Sequence, residues 1–259
     1  MTLDVRLPTA DLQMFANAPL LPYTLLMKSD QIQSPRAGSI DWISFDCYGT
    51  LIDWEGGVAD ALSPFLPPPV DRAALAARYI TVEAEIEHES YRPYREILAA
   101  ASGRLMSELG HPLPPEHSRV LPDSLRSWLP FPEVPDALRS LRNAGYHLAI
   151  LSNVDRDLLS ASIALLGIEP DLAVTAEDCR SYKPGPGHWN RLRELSAAGP
   201  ERTVHVAASL FHDVAPATSL GYRTVFVNRR NAPARGATPT RTVRDLGSIR
   251  AVIDELAAA

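Results

Sequence analysis

Apolar and polar positions along the chain fall into short blocks whose period switches several times. Trp42-Ile43-Ser44-Phe45 is a brief apolar run that stops at Asp46, and Cys47-Tyr48-Gly49-Thr50-Leu51 follows it. A run of this length closed by a polar turn predicts a buried strand. Helical spacing then takes over: apolar residues recur three and four apart from Asp71 to Tyr91, with Asp71 placed to cap the first turn. Further helices are predicted over 94–109 and 115–129, the second broken near Pro122. No strand pattern interrupts 59–130. Beyond it the period alternates. Helices are predicted over 133–144, 155–166, 188–198, 213–220 and 245–257, with Gly145, Gly167 and Gly221 as stops. Strands are predicted between them, over 147–151, 171–175, 203–207 and 223–227. Asn231 to Thr242, rich in Pro, Arg and Thr, reads as a loop.

Strands that alternate with helices imply βαβ units and a parallel sheet. The fold class expected is α/β, a Rossmann-like parallel sheet core with an inserted all-helical cap domain. Residues 39–58 and 131–259 form the core and 59–130 the cap. Residues 1–38 read as an irregular N-terminal extension, with Ser34 to Gly38 as the linker. Leu20 to Met27 is apolar but short and interrupted by Pro22, and its upstream flank holds Asp4, Arg6 and Asp11. That flank lacks the cationic region of a secretory signal. The extension is either irregular or precedes a true start at Met27.

Composition narrows the function classes. With 46% hydrophobic and 22% charged residues, the 259-residue chain is not disordered as a whole. No apolar run reaches the roughly 18 residues of a membrane helix. A net charge of -6 does not supply the Lys and Arg clusters of a nucleic-acid footprint. The two cysteines, Cys47 and Cys179, are too few for a disulfide scaffold and read as reduced, buried residues of a cytoplasmic protein.

Four polar signals lie at the carboxyl ends of successive predicted strands, where open parallel sheets bind ligands. They are Asp46 with Tyr48 and Thr50, Ser152 with Asn153, Lys183-Pro184, and Ser209 with Asp213. Singly each has a bland explanation: a turn former, an N-cap, a solvated loop, a helix start. Together they put two carboxylates, an ammonium and hydroxyls on one sheet edge.

The segments Phe45-Asp46-Cys47-Tyr48-Gly49-Thr50-Leu51, Leu151-Ser152-Asn153, Tyr182-Lys183-Pro184 and Ser209-Leu210-Phe211-His212-Asp213 resemble, in order, the four motifs of the haloacid dehalogenase superfamily. The resemblance spans Asp41 to Leu256 and is to the 2-haloacid dehalogenase branch. Phosphate-cleaving members carry a second acid two residues after the nucleophile, to protonate a basic leaving alkoxide. Here that position is Tyr48, a poor acid at a pKa of about 10. A halide leaves without a proton, so the chain suits a leaving group that departs as a stable anion.

The resemblance implies a mechanism. Asp46 would attack a saturated carbon of a small carboxylate, such as a 2-haloacid, and form an aspartyl ester. Asp213 would be the base for the water that opens it. Lys183 would hold Asp46 ionised by opposite-charge stabilisation. Thr50 and Ser152 would fix oxygens by hydrogen bonds, and Asn153 would meet the substrate carboxylate at a helix N-terminus. Arg78 in the cap would bind the halide or carboxylate, with Arg92 and Arg95 as rivals, while Tyr48, Trp189 and Ser209 would complete the pocket.

No cofactor is expected. The partner is a small molecule, with no nucleic acid and no membrane, and the resemblance implies a homodimer paired through the cap. The chain also departs from the branch. Leu210 replaces an asparagine that positions water, Ala208 a serine, and Trp189 a tyrosine; His212 has no counterpart. Three alternatives stand beside the haloacid reading. One is opening of an azetidine-2-carboxylate-type ring by the same chemistry. Another is a Mg²⁺-dependent phosphatase with metal at Asp46, the Tyr48 carbonyl and Asp213. The third is a non-catalytic binding protein on the same scaffold.

Overall fold

In the computed structural model, residues 40–87, 91–233 and 236–259 are described. The N-terminal extension, its linker and the tail of the helix predicted to end at Tyr91 lie outside them. The chain enters the sheet as β1 (Trp42–Phe45) and leaves it for four helices, α1 (Trp54–Leu62), α2 (Arg72–Glu87), α3 (Tyr94–Glu108) and α4 (Val120–Ser124). It returns through α5 (Val134–Asn143) to β2 (His147–Ser152). There follow α6 (Arg156–Ile163), β3 (Leu172–Thr175), α7 (Ala176–Cys179), α8 (Gly187–Ser196), β4 (Thr203–Ala207), α9 (Ala215–Ser219), β5 (Arg223–Val227), β6 (Arg241–Val243) and α10 (Ile249–Ala258).

Among the described residues six strands pair, all parallel, in the order β3-β2-β1-β4-β5-β6. The order reverses at β1, so the crevice for a ligand opens between the carboxyl ends of β1 and β4. Period-2 alternation explains the two-sided burial of the strands. Ile43 and Phe45 of β1, Leu148 and Ile150 of β2, and Val204 and Val206 of β4 join the core that also takes Leu138, Leu141, Ile249 and Ile253 of α5 and α10. Their neighbours Trp42, Ala149 and Leu151 face the opposite side, with Trp189 and Leu192 of α8.

The inserted helices belong to the first of these cores through Val58, Leu75, Tyr79, Val82, Leu98 and Leu105. The two chain crossings between sheet and insertion run side by side. Asp53 N–H donates to the Leu129 carbonyl at 3.0 Å and Phe131 N–H to the Leu51 carbonyl at 3.0 Å. At this joint α1 lies against Trp128 so closely that a Cβ on Gly57 would sit 2.4 Å from its ring. Glycine is the residue that permits the approach.

The strands lie where the pattern predicts them, with two additions. β6 emerges from the tail of the segment read as loop, and α7 appears as one turn closed by a capping box between Thr175 and Asp178. The helix predicted over 115–129 is instead α4 flanked by single 3₁₀ turns at Pro115–His117 and Leu125–Ser127. Pro115 and Pro122 remove two backbone donors from that stretch, and Pro112 and Pro114 stand just before it. The helix predicted over 213–220 begins as a π-helical turn, Leu210–Val214, capped by Ser209 and running into α9. α1, with two glycines in its first turn, is not separable in the sequence pattern. Among the described residues no helix is long and apolar enough to cross a membrane. Both cysteines are unpaired; Cys47 is buried as expected, but Cys179 is only partly so.

Candidate active site

Asp46 is the first residue beyond β1, held in line by its N–H donating to the Val206 carbonyl at 3.1 Å. The chain then turns at Gly49, whose φ of +91° is open to glycine, and Thr50 comes back beneath the carboxylate. Thr50 Oγ1 donates to Asp46 Oδ2 at 2.7 Å and accepts the Ala208 N–H at 2.9 Å, tying β1 to the end of β4. Lys183 reaches in from the loop before α8. Its Nζ donates to Asp46 Oδ1 at 2.9 Å, Asp213 Oδ1 at 2.6 Å and the Leu151 carbonyl at 2.9 Å. An ammonium has three donors, and here all three are engaged. Asn153 fixes the lysine backbone from both sides, donating to the Lys183 carbonyl at 3.1 Å and accepting its N–H at 2.7 Å.

Exposure is 8% at Asp46, 2% at Lys183 and 1% at Asp213. In so dry a site one cation cannot neutralise two anions, and the pair divides unequally. Burial raises the Lys183-facing carboxyl of Asp46, the Asp213 charge adds to the rise, and Lys183 and Thr50 offset it in part. Burial opposes ionisation of Asp213 too, but Lys183 at the shorter distance and His205 hold it well below the usual carboxylate range. Lys183 is raised, since two carboxylates outweigh its burial. Lys183 thus favours the ionised form of both carboxylates. Asp213 has His205 as a second neighbour, its Nε2 3.1 Å from Oδ1.

The remaining candidates divide. Ser152 is fully buried at the end of β2, and its Oγ has no hydrogen-bond partner among the described residues. Tyr48 turns its hydroxyl to Ser162 Oγ at 2.8 Å and lays its ring edge-on to Trp128. Burial pushes that phenol well above its ordinary range, which removes it further from acid catalysis. Trp189 is buried behind the site, its ring 5.5 Å from that of His205. Ser209 caps the π-helical turn by accepting the His212 N–H at 3.0 Å.

Arg78 is not brought to the nucleophile: it lies on the exposed flank of α2, paired with Glu108. Arg95 is held by Asp155 at 2.9 Å and also pairs with Asp157. Arg92 contributes its carbonyl to the Tyr182 hydroxyl at 2.8 Å. Asn153, expected at a substrate carboxylate, has its side-chain oxygen and an amide hydrogen committed to Lys183.

Sequence reasoning passed over several residues. His205, on β4, bridges Asp213 and Ser44; a lone imidazole in the apolar run Thr203-Val204-His205-Val206-Ala207 was the available signal. Glu83 of α2 accepts from Tyr94 at 2.6 Å and Tyr79 at 3.0 Å. Glu87, one turn on, is pushed up to about 8 by burial, with the Glu83 charge adding and the Lys183 charge opposing. Arg229 donates to the Thr50 carbonyl at 2.8 Å, pairs with Glu133 at 2.7 Å and stacks over Phe131. It thereby ties the nucleophile turn to the returning crossing of the insertion.

Of the carboxylate oxygens a Mg²⁺ would use, both of Asp46 and one of Asp213 are already engaged. Asp46 and Asp213 point their Oδ1 atoms at one ammonium, and Asp46 Oδ2 is taken by Thr50. Among the described residues no group of three His, Cys, Asp or Glu side chains is placed to hold a metal ion.

Asp46 after β1, Lys183 bridging it to Asp213, and the helical insertion form one buried cluster at the carboxyl edge of the sheet. Residues 40–221 match the model of the haloacid dehalogenase-like hydrolase family. The chain belongs to that family. It is 27% identical over 221 residues to haloacetate dehalogenase H-2 of Moraxella sp. (strain B), covering 81% of this chain and 96% of the relative. It is 29% identical over 226 residues to an (S)-2-haloacid dehalogenase of Pseudomonas sp. (strain YL), covering 83% and 94%. Its fold superposes with a TM-score of 0.73 on the L-2-haloacid dehalogenase of Xanthobacter autotrophicus with chloropropionic acid covalently bound. The sequence identity there is 20%, over 83% of this chain and 98% of the other.

Proposed function

We propose that this hydrolase cleaves a bond at a saturated carbon of a small carboxylate through an ester on Asp46, with 2-haloacids as the first substrate class. The observation that carries the reading is the pair of carboxylates, Asp46 and Asp213, bridged by Lys183, with a hydrogen-bonded tyrosine where an acid for the leaving group would stand. Asp46 attacks the carbon and the carbon–halogen bond breaks, the halide leaving with its electron pair. Water then attacks the ester carbonyl with Asp213 as its base, giving the 2-hydroxy acid. Thr50 and Lys183 hold Asp46 in the attacking rotamer, and Ser152 offers its hydroxyl beside the substrate. The inserted helices act as the cap that keeps bulk water from the ester. No step requires a metal or an organic cofactor. The relatives named above, dehalogenases of haloacetate and (S)-2-haloacids, support this class.

One observation favours a second substrate by the same chemistry. Glu83 and Glu87 lie on the flank of α2 whose charge is felt at Lys183 and Tyr182, and Tyr79, Tyr94 and Tyr182 surround them. A pair of buried carboxyls beside tyrosine hydroxyls suits a cation better than a halocarboxylate. A strained cyclic amine, protonated before its ring opens, fits that description and again needs no acid at Tyr48.

The test is mass spectrometry of intact Asp213→Ala after incubation with 2-haloacids and cyclic amino acids. Hydrolysis should stall and an adduct should accumulate on the peptide containing Asp46, while Asp46→Asn should abolish labelling and turnover. Absence of any adduct across the panel, together with Mg²⁺-dependent release of phosphate from an aryl phosphate, overturns the reading.

A further inference from the structure

His205 occupies a position in β4 that the apolar pattern would give to a hydrophobic residue. It is fully buried on the face covered by Trp189 of α8. A buried imidazole is costly unless both ring nitrogens are paired. Both are. Nε2 lies 3.1 Å from Asp213 Oδ1, and Nδ1 lies 2.9 Å from the hydroxyl of Ser44, which stands opposite His205 in the β1–β4 register. An ionised carboxylate only accepts, so Nε2–H donates to Asp213, and in the neutral ring Ser44 donates to Nδ1. Lys183 donates to the same Oδ1. Two donors from two separate elements thus converge on one oxygen of Asp213. Among the described residues its Oδ2 takes no hydrogen bond.

We propose that His205 is the positioning residue for Asp213, anchoring Oδ1 so that Oδ2 faces the attacking water. Hydrolysis of the Asp46 ester depends on it, and formation of the ester does not. This rests on the aspartyl-ester reading above. In that step the water oxygen bonds to Asp46 Cγ as its proton passes to Asp213 Oδ2. The Cγ–O bond to the substrate breaks, and the departing alkoxide takes the proton. Asp46 is left protonated and returns its proton to solvent. Without His205, the Lys183 contact remains and the ionisation of Asp213 is kept. The carboxylate loses its second tether and turns about its Cβ–Cγ bond. Loss of alignment of this kind slows a positioned proton transfer on the order of 10- to 100-fold.

The experiment is single-turnover mixing of wild type, His205→Leu and His205→Gln with the compound that labels Asp213→Ala, following the Asp46 ester and free product separately. The ester should form at the wild-type rate in all three. His205→Leu should hold it about 10- to 100-fold longer, and His205→Gln, whose amide N–H can reach Asp213, should recover most of the hydrolysis rate. Hydrolysis by His205→Leu at the wild-type rate overturns the proposal, as does equal slowing of both steps in the Leu and Gln variants. If His205→Leu does not fold, Ser44→Ala carries the test. It should slow ester hydrolysis alone, and unchanged hydrolysis counts against the proposal. Absence of an ester even in Asp213→Ala would instead overturn the aspartyl-ester reading, and the role of His205 with it.

Discussion

Lys183 shows how little freedom the site leaves its residues. With each donor committed, moving any one of Asp46, Asp213 or the Leu151 carbonyl would leave a buried N–H of the ammonium without its acceptor. Residues of this kind were legible in the sequence as a set, since polar signals that recur after successive strands gather on one sheet edge, whatever each would mean alone. Arg78 was not legible in the same way. At 100° per residue, Leu75, Tyr79, Val82 and Ile86 form the buried stripe of α2. Glu83 and Glu87 fall on one flank of that stripe and Arg78 on the other, where it pairs with Glu108. Resemblance supplied an arginine in the right helix but could not supply its rotation about the helix axis. Arg78→Ala should therefore leave kcat/KM within about twofold of wild type and cost under about 1 kcal/mol, as an exposed ion pair does. Steady-state kinetics and urea denaturation check it. A hundredfold loss of kcat/KM would return Arg78 to the site.

At the scale of elements, α8 carries a pH dependence that no sequence pattern announces. His188 lies in the first turn of α8, fully buried, with Nε2 3.0 Å from the Ser152 carbonyl and Nδ1 unpaired. Burial, helped by the Lys183 charge, pushes its pKa from 6.5 down to about 4. The unfolded chain then binds more protons than the folded one between those values, so stability falls as pH drops through that window. The loss is on the order of 3 kcal/mol when complete. His188→Gln keeps an N–H donor for Ser152 and does not titrate. Subtracting its unfolding free energy from that of wild type at pH 4 and pH 7 should show the wild type losing more on acidification. Parallel curves would contradict this account of α8. Elements with a regular period, β1 through β5 and α2, α3, α5 and α8, could be read before any coordinates. Those set by proline, by a capping box or by two glycines, such as α4, α7 and α1, depend on local donors and contacts that a period does not record.

For the whole molecule, the βαβ alternation predicts a parallel sheet, but the strand order follows from which edges pair, a nonlocal matter that periodicity leaves open. That order seats β1 between β2 and β4, so Asp46 meets Lys183, 137 positions away and anchored on the β2 side at Leu151, and Thr50 meets Ala208 at the end of β4. Arg229 then joins the turn after the nucleophile to the crossing that returns from the inserted helices. The sheet thus brings two carboxylates, Asp46 and Asp213, to one lysine, and the central claim of the proposed function is that the first becomes covalently bonded to substrate. A single turnover in H₂¹⁸O with enzyme in excess tests this most directly. If the ester is real, the product oxygen comes from Asp46, so the hydroxy acid leaves unlabelled and the peptide bearing Asp46 gains ¹⁸O. Label in the product, with none at Asp46, would mean that water attacks the substrate carbon itself, contrary to this account.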